Sequence, residues 1–170
     1  MKAHMATSRF SADFLVSPDQ FVSEHPAALF AYWTDKQGTR AYPAWTELEL
    51  MDIHRTAPFI VVKDVIKDAE PFTIRYWGTG VTEAVGIDGA GKTTADLYAG
   101  AKRQHISNAF RMAVNDARPV HVIGPITAVT AKEHVAYEGV HLPLADAAGR
   151  LAHLISAYTF GIDFAHMPSD

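Results

Sequence analysis

The alternation of apolar and polar residues predicts a chain of mixed α and β structure. Two short β-branched or aromatic runs, at 58–66 and 72–77, are separated by a turn-like segment and are typical of an antiparallel hairpin. Three further runs follow late in the chain, at 120–130, 134–144 and 151–160. Strands in two clusters with helices between them indicate an α+β fold built on a five-stranded antiparallel sheet.

Apolar residues at helical spacing predict helices before and between the strand clusters. A helix start at Ser17-Pro18-Asp19 follows a loose arm at residues 1–17. Because Pro26 lies inside the run, the helix could instead restart there, with Ser23 as a second cap. Short helical turns are expected near residues 82–85 and 94–98. A longer helix is expected from about Ala101 to Ala117. Its apolar stripe contains Ala101, His105, Ala109 and Ala113, with Ile106, Phe110 and Val114 beside them.

The length of 170 residues and the 48% apolar content favour one domain with a real core. We divide the chain into an arm with an amphipathic helix at 1–37, one domain at 38–165 and a tail at 166–170. The helices of this domain are expected on one face of the sheet, with the helix of 1–37 as an N-terminal extension.

Composition excludes several classes of function. The chain has no cysteine, which rules out disulfides, thiolate catalysis and flavin photochemistry through a cysteine adduct. The net charge of −4 and the lack of a basic stripe argue against a nucleic-acid partner. No apolar run is long enough for a membrane span or a signal peptide, so we expect a cytoplasmic protein without membrane contact. No arrangement typical of a catalyst stands out, and we predict no enzyme activity and no catalytic residues.

The segment Gly86–Thr93 matches the phosphate-loop pattern G-x-x-x-x-G-K-[ST] at every position. Such a loop needs a buried strand directly before it and a helix directly after it, and the sequence predicts no strand there. We therefore expect a glycine-rich turn, with Gly89 and Gly91 at positive φ. Nucleotide binding through this segment stays an alternative function.

The order of elements and several local motifs resemble a PAS domain, and in particular a bacterial subfamily of short PAS proteins. The resemblance runs from about Leu29 to Phe160 and depends on the order and spacing of its motifs. These are Leu29–Trp33, Pro43-Ala44, Asp52-Ile53, Phe72–Thr79, Gly91–Leu97 with one residue more than the usual spacing, Tyr137-Glu138 and Leu142–Leu144.

The resemblance implies a sensory or regulatory domain that acts through association with a partner. Many PAS domains hold a small ligand in a cavity between the sheet and the helices, and a ligand-free dimerisation scaffold is the alternative. Aromatic and charged residues of the predicted elements are candidates for such a pocket. They are Arg75, Tyr76, Tyr98, His105, Phe110, Tyr137, Glu138 and Tyr158.

The histidines leave cofactor chemistry open. His105, on the apolar stripe of the long helix, could be a heme ligand or a packed core residue, and packing is the simpler interpretation. His121, His141 and His153 could lie at one level on three neighbouring strands and bind Zn²⁺, or could be scattered surface residues. The second alternative is simpler because one register slip would turn a strand's side chains to the other face, so we predict no metal site and leave the cofactor unknown.

Two further interpretations concern charges and assembly. Arg75 could pair with Glu138 in a structural ion pair or could clamp an acidic ligand. The apolar face of the first helix could cover its own sheet or form a homodimer, to which a signalling partner could bind. The candidate interface residues are Phe21, Val22, Leu29, Phe30 and Trp33.

Overall fold

The computed structural model describes residues 10–66, 72–98, 100–125 and 136–162. The helices are α1 Glu24–Gln37, α2 Thr79–Val85, α3 Thr94–Leu97 and α4 Gly100–Asn115. The strands are β1 Ser11–Phe14, β2 Ile60–Asp64, β3 Thr73–Trp77, β4 Val120–Pro125, β5 Ala136–Ala145 and β6 Leu151–Ile162. Short 3-10 turns lie at Pro18–Gln20, Trp45–Glu47, Leu50–Ile53 and Ala57–Phe59.

All pairs within the sheet are antiparallel, and the strand order is β1-β4-β5-β6-β2-β3. The predicted α+β fold with two strand clusters is confirmed. The sheet has six strands instead of five, because residues 11–14, expected in a loose arm, pair with β4. A sheet edge has unpaired N–H and C=O groups, and β1 satisfies those of β4. The predicted turn at 67–71 and the predicted strand continuation at 126–130 lie outside the described residues.

Helices cover both faces of the sheet. α4 packs on β4, β5 and β6 from one face, and α1 packs on β5 and β6 from the other. The helices that follow the first strand cluster, α2 and α4, lie on the cavity face as expected. The N-terminal helix α1, whose destination the sequence left open, covers the second face. Nine of the ten residues of β5 are buried, since this strand is covered from both sides.

The helix α1 begins one residue after Ser23, the second of the two predicted caps, and ends before Gly38, where φ is +59°. The first predicted cap, Ser17, starts only a 3-10 turn. Pro26 lies in the first turn of α1, where backbone N–H groups have no partner within the helix, so the proline costs no hydrogen bond. Leu29 and Trp33, four residues apart, face the sheet and are almost completely buried.

Most of the predicted dimer-interface residues pack against the core of their own chain. The Trp33 indole N–H donates to the carbonyl oxygen of Pro143 at 2.9 Å, which ties α1 to β5. Phe21 and Phe30 pack against the core that includes Trp33, whereas Val22 stays 47% exposed. The apolar face of α1 therefore covers its own sheet, the first of the two destinations considered.

The glycine-rich segment is a connection that runs beside β3. Gly91 has a positive φ of 73° as predicted, but the second positive φ is at Gly86 and not at Gly89. Gly89 is needed for space, because a Cβ there would lie 2.5 Å from the ring of Trp77. Gly91 N–H donates to the Ile74 carbonyl, and Ile74 N–H donates to that of Lys92. The Lys92 N–H donates to the Gly89 carbonyl, so neither this amide nor that of Gly91 can cradle a phosphate without breaking such a bond. The following helix α3 has only four residues.

Candidate ligand-binding site

A cavity of about 60 Å³ lies between α4 and the sheet. Apolar side chains from α2, α4, the strands and the residue before β1 form most of its wall. They are Phe10, Val61, Ile74, Trp77, Val81, Val85, Ile106, Ala109, Phe110 and Phe160. The polar lining residues are Lys63, Tyr98, Tyr137, His141 and Tyr158. A concave apolar site with a few polar groups is the usual form of a small-molecule pocket.

Lys63 is the one cationic side chain among the described lining residues, and it is fully buried. Lys63 and Val61 lie two residues apart on β2, so both side chains point to the same face of the sheet and line the cavity. The Lys63 ammonium group donates to Ser156 Oγ at 2.7 Å and lies 4.4 Å from the centre of the Phe110 ring. Burial lowers the pKa of Lys63 to about 7. No described carboxylate forms an ion pair with it.

His141 extends this polar group to a neighbouring strand. Its Nδ1 lies 2.6 Å from Ser156 Oγ, and its ring packs edge-on against Phe110 at 4.8 Å. Burial, supplemented by the charges of Lys63 and His121, lowers the pKa of His141 well below its usual value. A neutral His141 can accept a hydrogen bond at Nδ1 from the Ser156 hydroxyl, while the Ser156 oxygen accepts a hydrogen bond from Lys63. We refer to Lys63, Ser156 and His141 as the polar triad.

Three tyrosines line the same cavity as Lys63 and His141. Burial raises the pKa of Tyr98 to about 12, and it also raises the pKa values of Tyr137 and Tyr158. All three hydroxyls are therefore protonated at neutral pH and can donate hydrogen bonds. Trp77 adds a further donor, since its buried Nε1 has no acceptor among the described residues.

The family profile described as PAS domain matches residues 22–159 of this chain. The chain belongs to the PAS domain family. The match covers α1, nearly all of both strand clusters and most of the residues that line the cavity, and it confirms the resemblance that the sequence motifs predicted.

Solved structures are similar in fold. One is titled "Structure of an RNA-binding Light-Oxygen-Voltage Receptor", with a TM-score of 0.52 and 16% identity; the match covers 89% of this chain and 38% of that one. Another is the light-state LOV domain of the photoreceptor Aureochrome1, with a TM-score of 0.46, 12% identity, and coverage of 70% and 93%. The PAS chain thus spans well under half of the first of these. No curated protein matches it.

Four of the eight predicted pocket residues line the cavity of this PAS domain: Tyr98, Phe110, Tyr137 and Tyr158. Tyr76 faces the opposite side of the sheet, where it packs on the α1 core and donates to the Ala57 carbonyl. Its strand position explains this, because neighbouring residues on a strand point to opposite faces and Trp77 faces the cavity.

His105 does not point into the cavity, contrary to our expectation. Its side chain is exposed, with its ring 6.0 Å from that of Phe10. The buried stripe of α4 contains Ala109, Phe110 and Ala113, which lie on the sheet side. A spacing of four drifts relative to the helical repeat of 3.6, so His105 falls outside this stripe. It is not placed to be the axial ligand of a heme in this cavity.

Arg75 pairs with Asp64 and not with Glu138, as a correction to our prediction. Two guanidinium nitrogens of Arg75 donate to the two Asp64 oxygens at 2.7 and 3.1 Å, and His153 Nδ1 lies 2.8 Å from the same carboxylate. Burial raises the pKa of Asp64, but the hydrogen bonds from Arg75 and His153 outweigh this effect and lower it. A register shift in the β2–β3 pairing, between Val62 and Lys63, brings Arg75 beside Asp64.

Glu138 faces the side of the sheet opposite to the cavity and holds the start of α1. Its carboxylate accepts from Val22 N–H at 3.0 Å, from the Ser23 hydroxyl, and from His121 Nε2 at 2.7 Å. Burial raises the pKa of Glu138, but these hydrogen bonds lower it more. Glu138 therefore works as a structural anchor for α1.

The three histidines of the zinc hypothesis do not converge. His141 faces the cavity, whereas His121 bonds to Glu138 on the other face and His153 bonds to Asp64 on β2. Within the described ranges, no group of three or more His, Asp or Glu side chains is arranged to hold a metal ion. No described helix is long and apolar enough to cross a membrane.

Sequence reasoning missed Lys63 and Ser156 as site residues. For Lys63 a signal was present, because it lies inside a β-branched run and two residues after Val61, which puts a lysine on an apolar strand face. Ser156 carried no such signal, since its role depends on the pairing of β6 with β5, which puts it opposite His141.

Proposed function

We propose that this PAS domain is a sensor that binds a small molecule in the cavity and reports its presence to a partner protein through α1. The observation that carries the proposal is the polar triad, of which Lys63 and His141 reach the wall of a largely apolar cavity. A buried lysine without a carboxylate partner lowers stability. A buried ionisable group that lowers stability and has a shifted pKa is typical of a functional site.

A short path through the sheet supports the coupling to α1. Tyr137 and Tyr158 line the cavity, and the next residues, Glu138 and Thr159, point to the other face. Glu138 accepts from Val22 N–H, and Thr159 Oγ1 lies 3.4 Å from the His25 backbone nitrogen. A ligand that displaces β5 or β6 would therefore move both attachments, one just before α1 and one in its first turn. Hydrogen exchange of these amides would report the change.

Association with a partner is part of the proposal, and a homodimer is the first form to test. Leu29 and Trp33 are buried in the chain's own core, so a dimer would use the outer side of α1. Light scattering at two protein concentrations, with and without ligand, measures this. We retain the cytoplasm as the expected location.

Native mass spectrometry of freshly purified protein tests the ligand proposal. The wild type should carry an additional small mass that organic solvent releases. Ala109→Leu should carry less, because Ala109 is 1% exposed and its side chain lines the cavity. Ala31→Leu, on the exposed side of α1, is the matched control and should retain the mass.

The ligand-free scaffold makes the opposite prediction. A wild-type protein that carries no additional mass, and whose melting temperature does not change with the small-molecule fraction of a cell extract, would contradict a ligand sensor. Equal loading of the wild type and Ala109→Leu would place the ligand outside this cavity and would also contradict the proposal.

A further inference from the structure

We propose that the cavity selects small monocarboxylates, with the carboxylate at Lys63 and the apolar body against α2 and α4. This inference rests on the proposed function, since it names the ligand class for the same site. It begins from the charge of the described lining residues, among which Lys63 is the one cation and no carboxylate is present.

The geometry of the polar triad favours an anion. Lys63 Nζ has three donor positions, and the described residues use one, for Ser156 Oγ at 2.7 Å. The remaining positions can donate to an oxygen of a ligand in the cavity that Lys63 lines. The Trp77 N–H and the tyrosine hydroxyls are further donors around this cavity.

The number of charges favours a monoanion. One cation can neutralise one carboxylate, whereas a phosphate dianion would leave a net negative charge in an apolar enclosure. The other titratable groups that line the cavity with Lys63 are His141 on β5, Tyr137 on β5, Tyr158 on β6 and Tyr98 before α4. Because all four are neutral at pH 7, they add hydrogen bonds but no charge.

The cavity volume and the lining set the size of the ligand. A cavity needs roughly 10–15 Å³ to hold one water molecule. The volume of about 60 Å³ therefore accepts a ligand of few heavy atoms, or a single ring with small side-chain movements. Butyrate and benzoate meet these conditions, and butyramide and benzamide are neutral molecules of nearly the same shape.

Two-dimensional NMR titrations with these four probes test the inference. We expect the acids to bind about 10- to 100-fold more tightly than the matched amides at pH 6.5, since charge-assisted hydrogen bonds are stronger than neutral ones. The perturbed amide signals should include Gly139 and Tyr158, which lie beside the cavity. Lys63→Met should abolish the preference for acids, whereas Lys92→Met, with an exposed side chain, should retain it.

The pH dependence of the wild type gives a second test that needs no variant. Lys63 has a pKa of about 7 in the free protein, so the charge that attracts a carboxylate is present below this pH and is lost above it. The affinity for butyrate should fall by up to about tenfold per pH unit above pH 7, while that for butyramide should stay nearly constant.

The outcomes separate this inference from the proposed function. Equal affinities for acids and amides at the cavity, or an affinity for butyrate that does not change with pH, would overturn the monocarboxylate inference and leave a ligand site for neutral molecules. No perturbation of cavity signals by any probe would overturn the inference. The mass-spectrometric comparison of the wild type with Ala109→Leu would then still decide the proposed function.

Discussion

Replacing Lys63 with methionine should stabilise this PAS domain, and by more at pH 6 than at pH 9. The substitution removes a buried ammonium group and retains an unbranched side chain of similar size among apolar neighbours. It also removes the hydrogen bond to Ser156 and the contact with the Phe110 ring, which reduces the gain.

The magnitude follows from the pKa of Lys63, which burial lowers from 10.5 to about 7. Each pKa unit corresponds to about 1.4 kcal/mol, so burial costs about 5 kcal/mol at low pH, where both the folded and the unfolded states carry the proton. Because the folded-state pKa lies below the unfolded one, the unfolded chain binds more protons between pH 7 and 10.5. Wild-type stability therefore rises with pH in this window. From pH 6 to pH 9 the titration of Lys63 should raise the free energy of unfolding of the wild type by about 2 to 3 kcal/mol.

Urea denaturation of the wild type, Lys63→Met and Lys92→Met at pH 6, 7, 8 and 9 measures this contribution. Other titrating groups are common to all three proteins, so the difference between the curves isolates the substituted residue. We expect a net gain of roughly 3 kcal/mol for Lys63→Met at pH 6, after about 1 to 2 kcal/mol for the lost contacts. Parallel pH profiles for the wild type and Lys63→Met, or a large loss of stability at pH 6, would contradict the burial of an ammonium group without an ionic partner.

Three substitutions test other parts of the structure. Glu138→Gln should cost about 1–3 kcal/mol in urea denaturation and speed hydrogen exchange at the start of α1; unchanged exchange would refute its role as an anchor. Gly89→Ala should cost about 1–3 kcal/mol and alter the fluorescence of Trp77, because the new Cβ would lie 2.5 Å from that ring; a neutral effect would mean that the loop is free to move. Trp33→Phe should cost about 2 kcal/mol in thermal denaturation, since the donor to the Pro143 carbonyl is lost; full stability would contradict the contact between α1 and β5.

Local patterns were sufficient to predict the main elements. β2 and β3 are β-branched or aromatic runs with a turn-like segment between them, and α4 has a wide apolar stripe, so their types were predicted correctly. The strand β1 was missed, because residues 11–14 are too short and mixed to show a period and become a strand only by pairing with β4. The burial of α1 on the second face was left open, since an amphipathic helix does not identify the surface that it covers.

The site was harder to predict, because its residues come together through pairings distant in sequence. The register of β5 with β6 places His141 opposite Ser156, and that of β2 with β6 brings Lys63 to the same face. Arg75 was paired with the wrong acid because a register shift between β2 and β3 has no sequence signature here. Three of the aromatic pocket residues were easier to predict, since Tyr137 and Tyr158 lie in long strands and Phe110 lies on the apolar stripe of α4.

The most direct test of a ligand site at Lys63 is an NMR titration of the Lys63 Cε carbon in protein labelled at its lysines. The signal can be assigned by its loss in Lys63→Met. We predict a midpoint near pH 7 in the free protein and an upward shift when butyrate is added. A midpoint above pH 10 that butyrate does not change would contradict both the enclosure of Lys63 and its role in ligand binding.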